Sequence, residues 1–431
     1  MGRLDTRSDT KSHRSQYITT STWCVVSCLC MVLLFICMCF PLTHSPFELG
    51  LLYLFIQRVP FHAYSKNLRS FEKPKDLKII ALVPFRSHER TEILDCYLRV
   101  GSDTVSFLEI LWQYANSSIY LKPKRNLVDD QGFLDLVIFI PQMNDTESLE
   151  WLTSVVERTP RYRISETADY VQWGGTDKNV MLIKIDGDII FLEDHTIPTI
   201  VKTKLDHPGS LIVSANVINQ AALQTLHSHP GIALPYLPEV FPSSGQTQDW
   251  RVANLPPWEG PADFKIYKGY SPPSKSHRWL PLTEENGDRT PIATSMYDDN
   301  GPGLDDWTVH AQQHYSFLQH LESGDLYRYK FPMWVNPTES VGLNFLCLEA
   351  GDPRVIDSII EQDVDQLAMK AAQEVQGSSR DVIIDGKGLA AHYSADASLD
   401  GLDSTDILCR YRAYAKEMFY SRSRDCCFLF P

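Results

Sequence analysis

A series of apolar runs of strand length, most of them followed by a segment with helical spacing, constrains this chain more than any other feature. "KIIALV" (78–83), which Pro84 is expected to end, precedes "HERTEILDCYLRV" (88–100), in which Ile93, Leu94, Tyr97 and Leu98 recur at helical spacing. "LDLVIFIPQM" (134–143) precedes "DTESLEWLTSVVER" (145–158), whose acidic first turn suits a helix N-terminus. "VMLIKIDGDIIFL" (180–192) precedes the helix-like "DHTIPTIVKTKLD" (194–206), and "SLIVSANVI" (210–218) follows. Runs that are apolar throughout, rather than alternating, belong to strands covered on both faces. The expected fold class is therefore α/β, a Rossmann-like, mostly parallel sheet flanked by helices. In such sheets ligands bind beyond the carboxyl ends of the strands.

One of those ends carries two carboxylates. In "MLIKIDGDIIFLED" (181–194) Asp186 and Asp188 flank a single glycine. Carboxylates at the edge of an apolar core are costly unless paired. If the run is one strand, its period of two puts both on the same side, and Gly187 removes a side chain that would crowd a ligand. Two such carboxylates make a hard-oxygen site for Mn2+ or Mg2+, ions that take further ligands from substrate phosphates. A charged turn between two apolar strands is the plainer alternative.

The chain has 431 residues, and its formal charge of −14 argues against a nucleic-acid backbone as partner. Residues 23–40, "WCVVSCLCMVLLFICMCF", carry no charge and reach the length of a minimal membrane span. Arg3, Arg7, Lys11 and Arg14 precede them, against Asp5 and Asp9, while Glu48 is the one formal charge that follows up to residue 57. That asymmetry predicts a single-pass type II anchor with residues 1–22 as a cytosolic tail. A long polar lead and the lack of a small-residue cleavage site speak against a cleaved signal peptide. Residues 41–76 read as a stem and 77–431 as a domain in the lumen of the Golgi or ER. Five cysteines lie in the anchor; of the others, Cys96, Cys347, Cys409, Cys426 and Cys427, at most two bridges can form. Sequons at Asn116 and Asn144 suit a luminal domain.

With these segments in place, the chain resembles type II membrane glycosyltransferases of the GT-A fold. The likeness is nearest to a fungal group with a "K-[IV]-D-x-D-I-[IV]-F-[IL]-E-D" segment, here Lys184–Asp194, and a "SAN-[VI]-[IV]-N" strand, here Ser214–Asn219. Pro84-Phe85-Arg86 is similar to the "PFR" turn of the beta-1,4-galactosyltransferases, which touches the nucleotide. The sequence departs from the fungal pattern at Gly187, where a third aspartate is more usual. The resemblance implies a metal-dependent transferase that takes a sugar from a nucleotide-sugar to a glycan, protein or small-molecule acceptor. It implies Asp188 as a direct metal ligand and Asp186 as a ligand of the ion, its water or the ribose. It also implies Arg86 or Arg90 as a cation at the nucleotide, and a distant histidine as third ligand, for which His392 in "GKGLAAHYSAD", read as following a glycine-bearing loop, is the candidate.

An inverting transferase needs a carboxylate base near the acceptor hydroxyl. Glu349 and Asp352, which end the strand-like "GLNFLCLEAGD" (342–352), are the expected pair; Asp305 and Asp306 are rivals that suit a helix start equally well. A retaining enzyme needs no such base. Three further expectations concern segments. His227-Ser228-His229 reads as a turn. His310 and His314 read as part of an amphipathic packing helix over 305–322, and 404–419 as a terminal helix. The Pro/Trp-rich stretch 234–281 reads as an irregular insertion, either an acceptor lid that stacks sugars on Trp250, Trp258 and Trp279 or a packed surface loop. Two other functions fit less of the chain: a haloacid-dehalogenase-type phosphatase, whose D-x-D would normally open the domain, and a non-catalytic luminal carbohydrate-binding or assembly factor with a decayed site.

Overall fold

The computed structural model describes residues 71–99, 133–165, 179–241, 249–271, 273–337, 341–342, 344–350, 380–393 and 399–420. The expected tail, anchor and most of the stem, together with Asn116, Asp352, Cys426 and Cys427, lie outside the described residues. Among the described residues no helix is long and apolar enough to cross a membrane.

The strands are β1 (Lys78–Phe85), β2 (Leu136–Pro141), β3 (Tyr162–Ile164), β4 (Val180–Ile185), β5 (Ile189–Leu192), β6 (Ile212–Ile218), β7 (Tyr236–Pro238), β8 (Trp279–Pro281), β9 (Trp334–Val335), β10 (Phe345–Glu349) and β11 (Val382–His392). The helices are α1 (His88–Arg99), α2 (Thr146–Arg158), α3 (Thr196–Asp206), α4 (Gln224–His227), α5 (Pro291–Tyr297), α6 (Trp307–Ser323), α7 (Leu399–Leu402) and α8 (Ile407–Tyr420). The expected strand–helix units are present, with ends set by caps. Asp145 accepts the Ser148 N–H at 2.9 Å to start α2, and Asp306 accepts the Thr308 N–H at 2.9 Å to start α6.

The main sheet runs β3-β2-β1-β4-β10-β6-β11-β5, with β9 paired to β11. β3, β2, β1 and β4 are mutually parallel, as are β6 and β11. β10 is antiparallel to both β4 and β6, and β5 and β9 are antiparallel to β11. The sheet is thus mixed rather than purely parallel. On one face Ile80, Leu82, Ile138, Ile140, Leu182, Leu346 and Ile384 pack into one core cluster. Ile79, Ala81, Val83, Phe139 and Ile183 alternate with them and are buried too. Burial on both faces is why these strands read as unbroken apolar runs.

Two departures from the sequence reading place the site. First, 180–192 is not one strand: β4 ends at Ile185, the chain turns through Asp186-Gly187-Asp188, and β5 departs to the far edge of the sheet against β11. Second, β1 runs on through Pro84. The Phe85 carbonyl accepts the Gln142 N–H on the β2 side, so Pro84 faces the β4 side, where β4 has already turned away and no donor is needed.

The Pro/Trp-rich stretch is closed at its ends by β7 and β8, which pair antiparallel. Its tryptophans are packing groups. Trp279 is buried against Trp307 at 6.1 Å, Trp250 is buried with its Nε1 donating to Glu417 at 3.0 Å, and Trp258 Nε1 donates to the Pro238 carbonyl. Trp250 and Trp279 are therefore not free to stack on a sugar. Cys347 and Cys409 carry free thiols.

Candidate metal centre

The sheet order reverses at β1, which has β2 on one side and β4 on the other. The crevice beyond the carboxyl ends of β1 and β4 is a topological switch point, where ligands of open α/β sheets bind. Arg86 follows β1, α1 starts at His88, and Asp186 follows β4, so all three meet at this crevice.

The turn that carries the carboxylates is held by its own backbone. Asp186 Oδ1 accepts the Asp188 N–H at 3.1 Å, the Asp186 carbonyl accepts the Ile189 N–H at 3.1 Å, and the Asp186 N–H donates to the Asn344 carbonyl at 2.8 Å. The two aspartates converge through this turn, not through strand alternation. Gly187 is required for a different reason from the expected one: a Cβ there would lie 2.4 Å from the Pro84 carbonyl oxygen, so the glycine makes room for β1. A third aspartate at this position would not fit this backbone.

His392 reaches the pair through the sheet. β5 leaves Asp188 and pairs antiparallel with β11, and its first residue Ile189 is opposite His392. The Tyr393 N–H then donates to the Asp188 carbonyl at 2.9 Å. His392 thus ends a strand; the glycines before it are not a loop but an irregularity in β11. A Cβ on Gly386 would lie 2.2 Å from the Phe331 carbonyl, so the bulged backbone approaches its neighbour there. The asparagines of the "SANVIN" strand support the same region. Asn216 donates to the Tyr329 and Gly386 carbonyls at 2.8 and 3.2 Å. Asn219, at φ +65°, places its amide 2.8 Å from His314 Nε2, which lies 2.8 Å from the Tyr393 carbonyl.

Asp186, Asp188 and His392 are all buried, and each offers one ligand atom within 4.8 Å of the others. His392 Nε2 is 3.9 Å from Asp186 Oδ1. Asp188 divides its oxygens: Oδ2 accepts from Arg90 Nη1 at 3.0 Å, while Oδ1 is buried without a hydrogen-bond partner. An orphaned buried carboxylate oxygen beside a second carboxylate and an imidazole fits a divalent ion of the Mn2+ or Mg2+ kind, with the nitrogen favouring the transition ion. The pair is electrically asymmetric. Burial disfavours charge on both, but the His392 ring, Lys184 and Arg86 hold the Asp186 carboxyl well below its ordinary range. Burial and then the Asp186 charge raise Asp188 against the pull of Arg90.

The expected nucleotide cations differ in setting. Arg86 Nη1 lies 3.8 Å from Asp186 Oδ2 and its Nε donates to Gln142 at 2.7 Å, on the open side of the crevice. Arg90 is held inside. It pairs with Asp188, lies over the Tyr393 ring at 4.7 Å, and reaches Asp403 at 3.4 Å.

Glu349 is not brought to this group. β10 is antiparallel to β4, with Phe345 opposite Ile185 and Glu349 opposite Met181. Five residues at ~3.3 Å per residue separate Glu349 from Asp186, about 16 Å. It accepts instead from the fully buried Lys204 at 2.8 Å. Sequence alone does not reveal that the strand before Glu349 runs against its neighbours. Asp306 caps α6, and Asp305 is exposed beside it. The carboxylate that does approach is Asp403, through Arg90.

Two histidines read from sequence as bland are deeply buried. His227 ends α4 with its Nε2 3.0 Å from Asn216 Oδ1. His310 is buried in α6, close enough to His392 for their charges to oppose each other. No sequence pattern separates His310 from a core-facing helix residue.

No family model matches the chain, and no curated protein matches it. Among solved structures it is similar to 4-diphosphocytidyl-2C-methyl-D-erythritol synthase from Anaerococcus prevotii DSM 20548, at 8% identity and a TM-score of 0.29, covering 79% of this chain and 100% of that one. A second structure of a 4-diphosphocytidyl-2C-methyl-D-erythritol synthase matches at 16% identity and a TM-score of 0.19, covering 33% of this chain and 62% of that one.

Proposed function

We propose that this chain is a divalent-ion-dependent glycosyltransferase of the GT-A type, using a nucleotide-sugar donor. The observation that carries the reading is the convergence of Asp186, Asp188 and His392 at the switch point beyond β1 and β4. Those three residues would hold the ion. When bound, it would neutralise the nucleoside diphosphate that leaves as the glycosidic bond breaks. Arg86, on the open side, binds and orients the phosphates with Gln142 as its support. Asp188 is kept in one rotamer by Arg90, and the buried position of all three donors excludes water from the inner side of the site. The haloacid-dehalogenase reading gains nothing from this geometry: the aspartates follow β4, behind two strand–helix units, and His392 has no part in that chemistry.

The membrane anchor over 23–40 and the luminal placement of the domain belong to the same proposal and rest on the sequence. The exposed Asn144 ahead of α2 leaves its sequon accessible to a luminal transferase.

Full-length protein incubated with a panel of nucleotide-sugars, with and without Mn2+, tests the reading. Release of a nucleoside diphosphate with at least one donor, dependent on Mn2+ and lost in His392→Ala, is the expected result. No metal-dependent release from any donor contradicts it.

A further inference from the structure

Three buried nitrogens beside the candidate metal centre have no hydrogen-bond partner among the described residues: Nδ1 of His392 and both ring nitrogens of His310. His392 turns Nε2 toward the aspartates, 3.9 Å from Asp186 Oδ1, so its Nδ1 points away from them. A neutral imidazole carries one proton, and a ring that offers Nε2 to an ion holds that proton on Nδ1. A buried N–H without an acceptor is costly. His310 comes to this place on α6. It lies one turn before His314 on the same face of the helix, and His314 Nε2 is 2.8 Å from the carbonyl of Tyr393, the residue after His392. That face of α6 therefore packs where β11 delivers His392, and the His310 ring is near enough to feel the charge of the His392 ring.

We infer that His310 is a positioning residue for His392: it accepts from the His392 Nδ1–H through one buried water, and so keeps Nε2 free for an ion. This rests on the metal site put forward under Proposed function. The chemistry of the His310 ring suits the task. The Asp305 carbonyl, which can only accept, lies beside it, so the nitrogen facing that carbonyl carries the proton and the other is left as an acceptor. Burial keeps the ring neutral at pH 7. Because the nitrogens of both rings lack a direct partner, the link runs through a water, which gains two polar partners between them. Asn219 Oδ1 is the rival acceptor, also buried and without a partner. Asn219, however, meets β11 through its amide nitrogen, which donates to the His392 and Tyr393 carbonyls at 3.3 and 3.4 Å. It holds the backbone of that strand, whereas His310 is left to hold the ring. A partner of this kind fixes the tautomer of a metal-binding histidine, and its loss weakens the metal roughly 10–100-fold.

Nitrogen NMR of the metal-free, full-length protein with labelled histidine tests this at pH 7, together with equilibrium dialysis against Mn2+. The His392 signals are identified by their loss in His392→Gln. The wild type is expected to hold His392 with its proton on Nδ1. In His310→Phe, which keeps a ring but offers no acceptor, the proton is expected to move to Nε2 and Mn2+ binding to weaken roughly tenfold or more. His310→Gln, which keeps a donor and an acceptor, is expected to restore both. Should His310→Phe lose its native circular dichroism spectrum, His310→Leu provides the same comparison. A wild type with the His392 proton on Nε2 overturns the inference. So does a folded His310→Phe protein with an unchanged tautomer, which would leave Asn219 as the acceptor, or with unchanged Mn2+ affinity. A glutamine variant that behaves like the phenylalanine variant overturns it as well. A wild type that has the Nδ1 proton, loses it in His310→Phe and takes up no Mn2+ overturns the metal site instead, and leaves the pairing of the two histidines standing.

Discussion

The Tyr393 N–H donates to the Asp188 carbonyl at 2.9 Å, and this backbone bond sets His392 beside a carboxylate that lies in a different half of the chain. It is made because β5 turns away from β4 and crosses to β11. The candidate ligands are therefore fixed by the sheet and do not depend on a flexible loop, which gives their substitution definite consequences.

Asp188→Asn is expected to abolish Mn2+ binding and leave the fold intact. Asp188 is buried beside Asp186, which already disfavours its charge, and Arg90 keeps Asp403 and Tyr393 as partners. The change in stability should stay within about 1 kcal/mol. Calorimetry with Mn2+ and a urea melt measure the two effects separately; unfolding of the variant would assign Asp188 a structural role.

Gly187→Ala should cost more stability than Asp188→Asn. Its Cβ would meet the backbone carbonyl of Pro84 at 2.4 Å, and neither β1 nor the Asp186–Asp188 turn can move without disturbing the other. Overpacking of this kind costs about 1–3 kcal/mol. The urea midpoint should fall and Mn2+ binding weaken together; an alanine variant as stable as wild type would mean that the turn relaxes freely.

Glu349→Gln should destabilise the protein without touching turnover. It removes the counter-charge of the fully buried Lys204 at the end of β10 remote from the metal centre. Breaking a fully buried pair costs ~3–5 kcal/mol, and the partial exposure of Glu349 makes the loss here smaller. Loss of activity at unchanged stability would restore Glu349 as a catalytic base.

The protein should lose stability steeply between pH 6.5 and 5. Burial pushes His227 and His314 down to about 3 and His310 down to about 4. In the unfolded chain each titrates near ~6.5. Below that pH the unfolded state binds protons that the folded state refuses, so stability is full above pH 6.5 and falls as pH drops toward the folded values. Each histidine contributes on the order of 2 kcal/mol of loss by pH 5. Denaturant midpoints across this range check the sign; a midpoint independent of pH would mean that these rings are charged or hydrated in the folded state.

The strand–helix units were legible in the sequence because the central strands are buried on both faces and helices such as α2 and α6 have their own periodicity and caps: Ile79–Phe85, Leu152 with Val155 in α2, and Asp306 before α6 are examples. The two aspartates of the candidate group stood out too, since carboxylates at the end of an apolar run are expensive, and the fold brings His392 to them. Sheet order was not. Nothing local to Phe345–Glu349 tells whether β10 runs with β4 or against it, and that direction alone moves Glu349 to the wrong end of the sheet. Gly386 and Gly388 suggested a loop because glycine is rare in strands, whereas here close contacts with Phe331 and Thr196 call for it. The role of Arg90 was hidden for a similar reason: its partners Asp188, Tyr393 and Asp403 are scattered along the chain and meet only in the fold.

Anomalous scattering from crystals grown with Mn2+ and a nucleoside diphosphate locates the ion. One strong peak is expected, with a carboxylate oxygen of Asp188 and Nε2 of His392 at roughly 2.0–2.3 Å, and with Asp186 bound directly or through water. No peak at this group, or a peak held by phosphate alone with His392 unligated, would contradict the proposed metal centre.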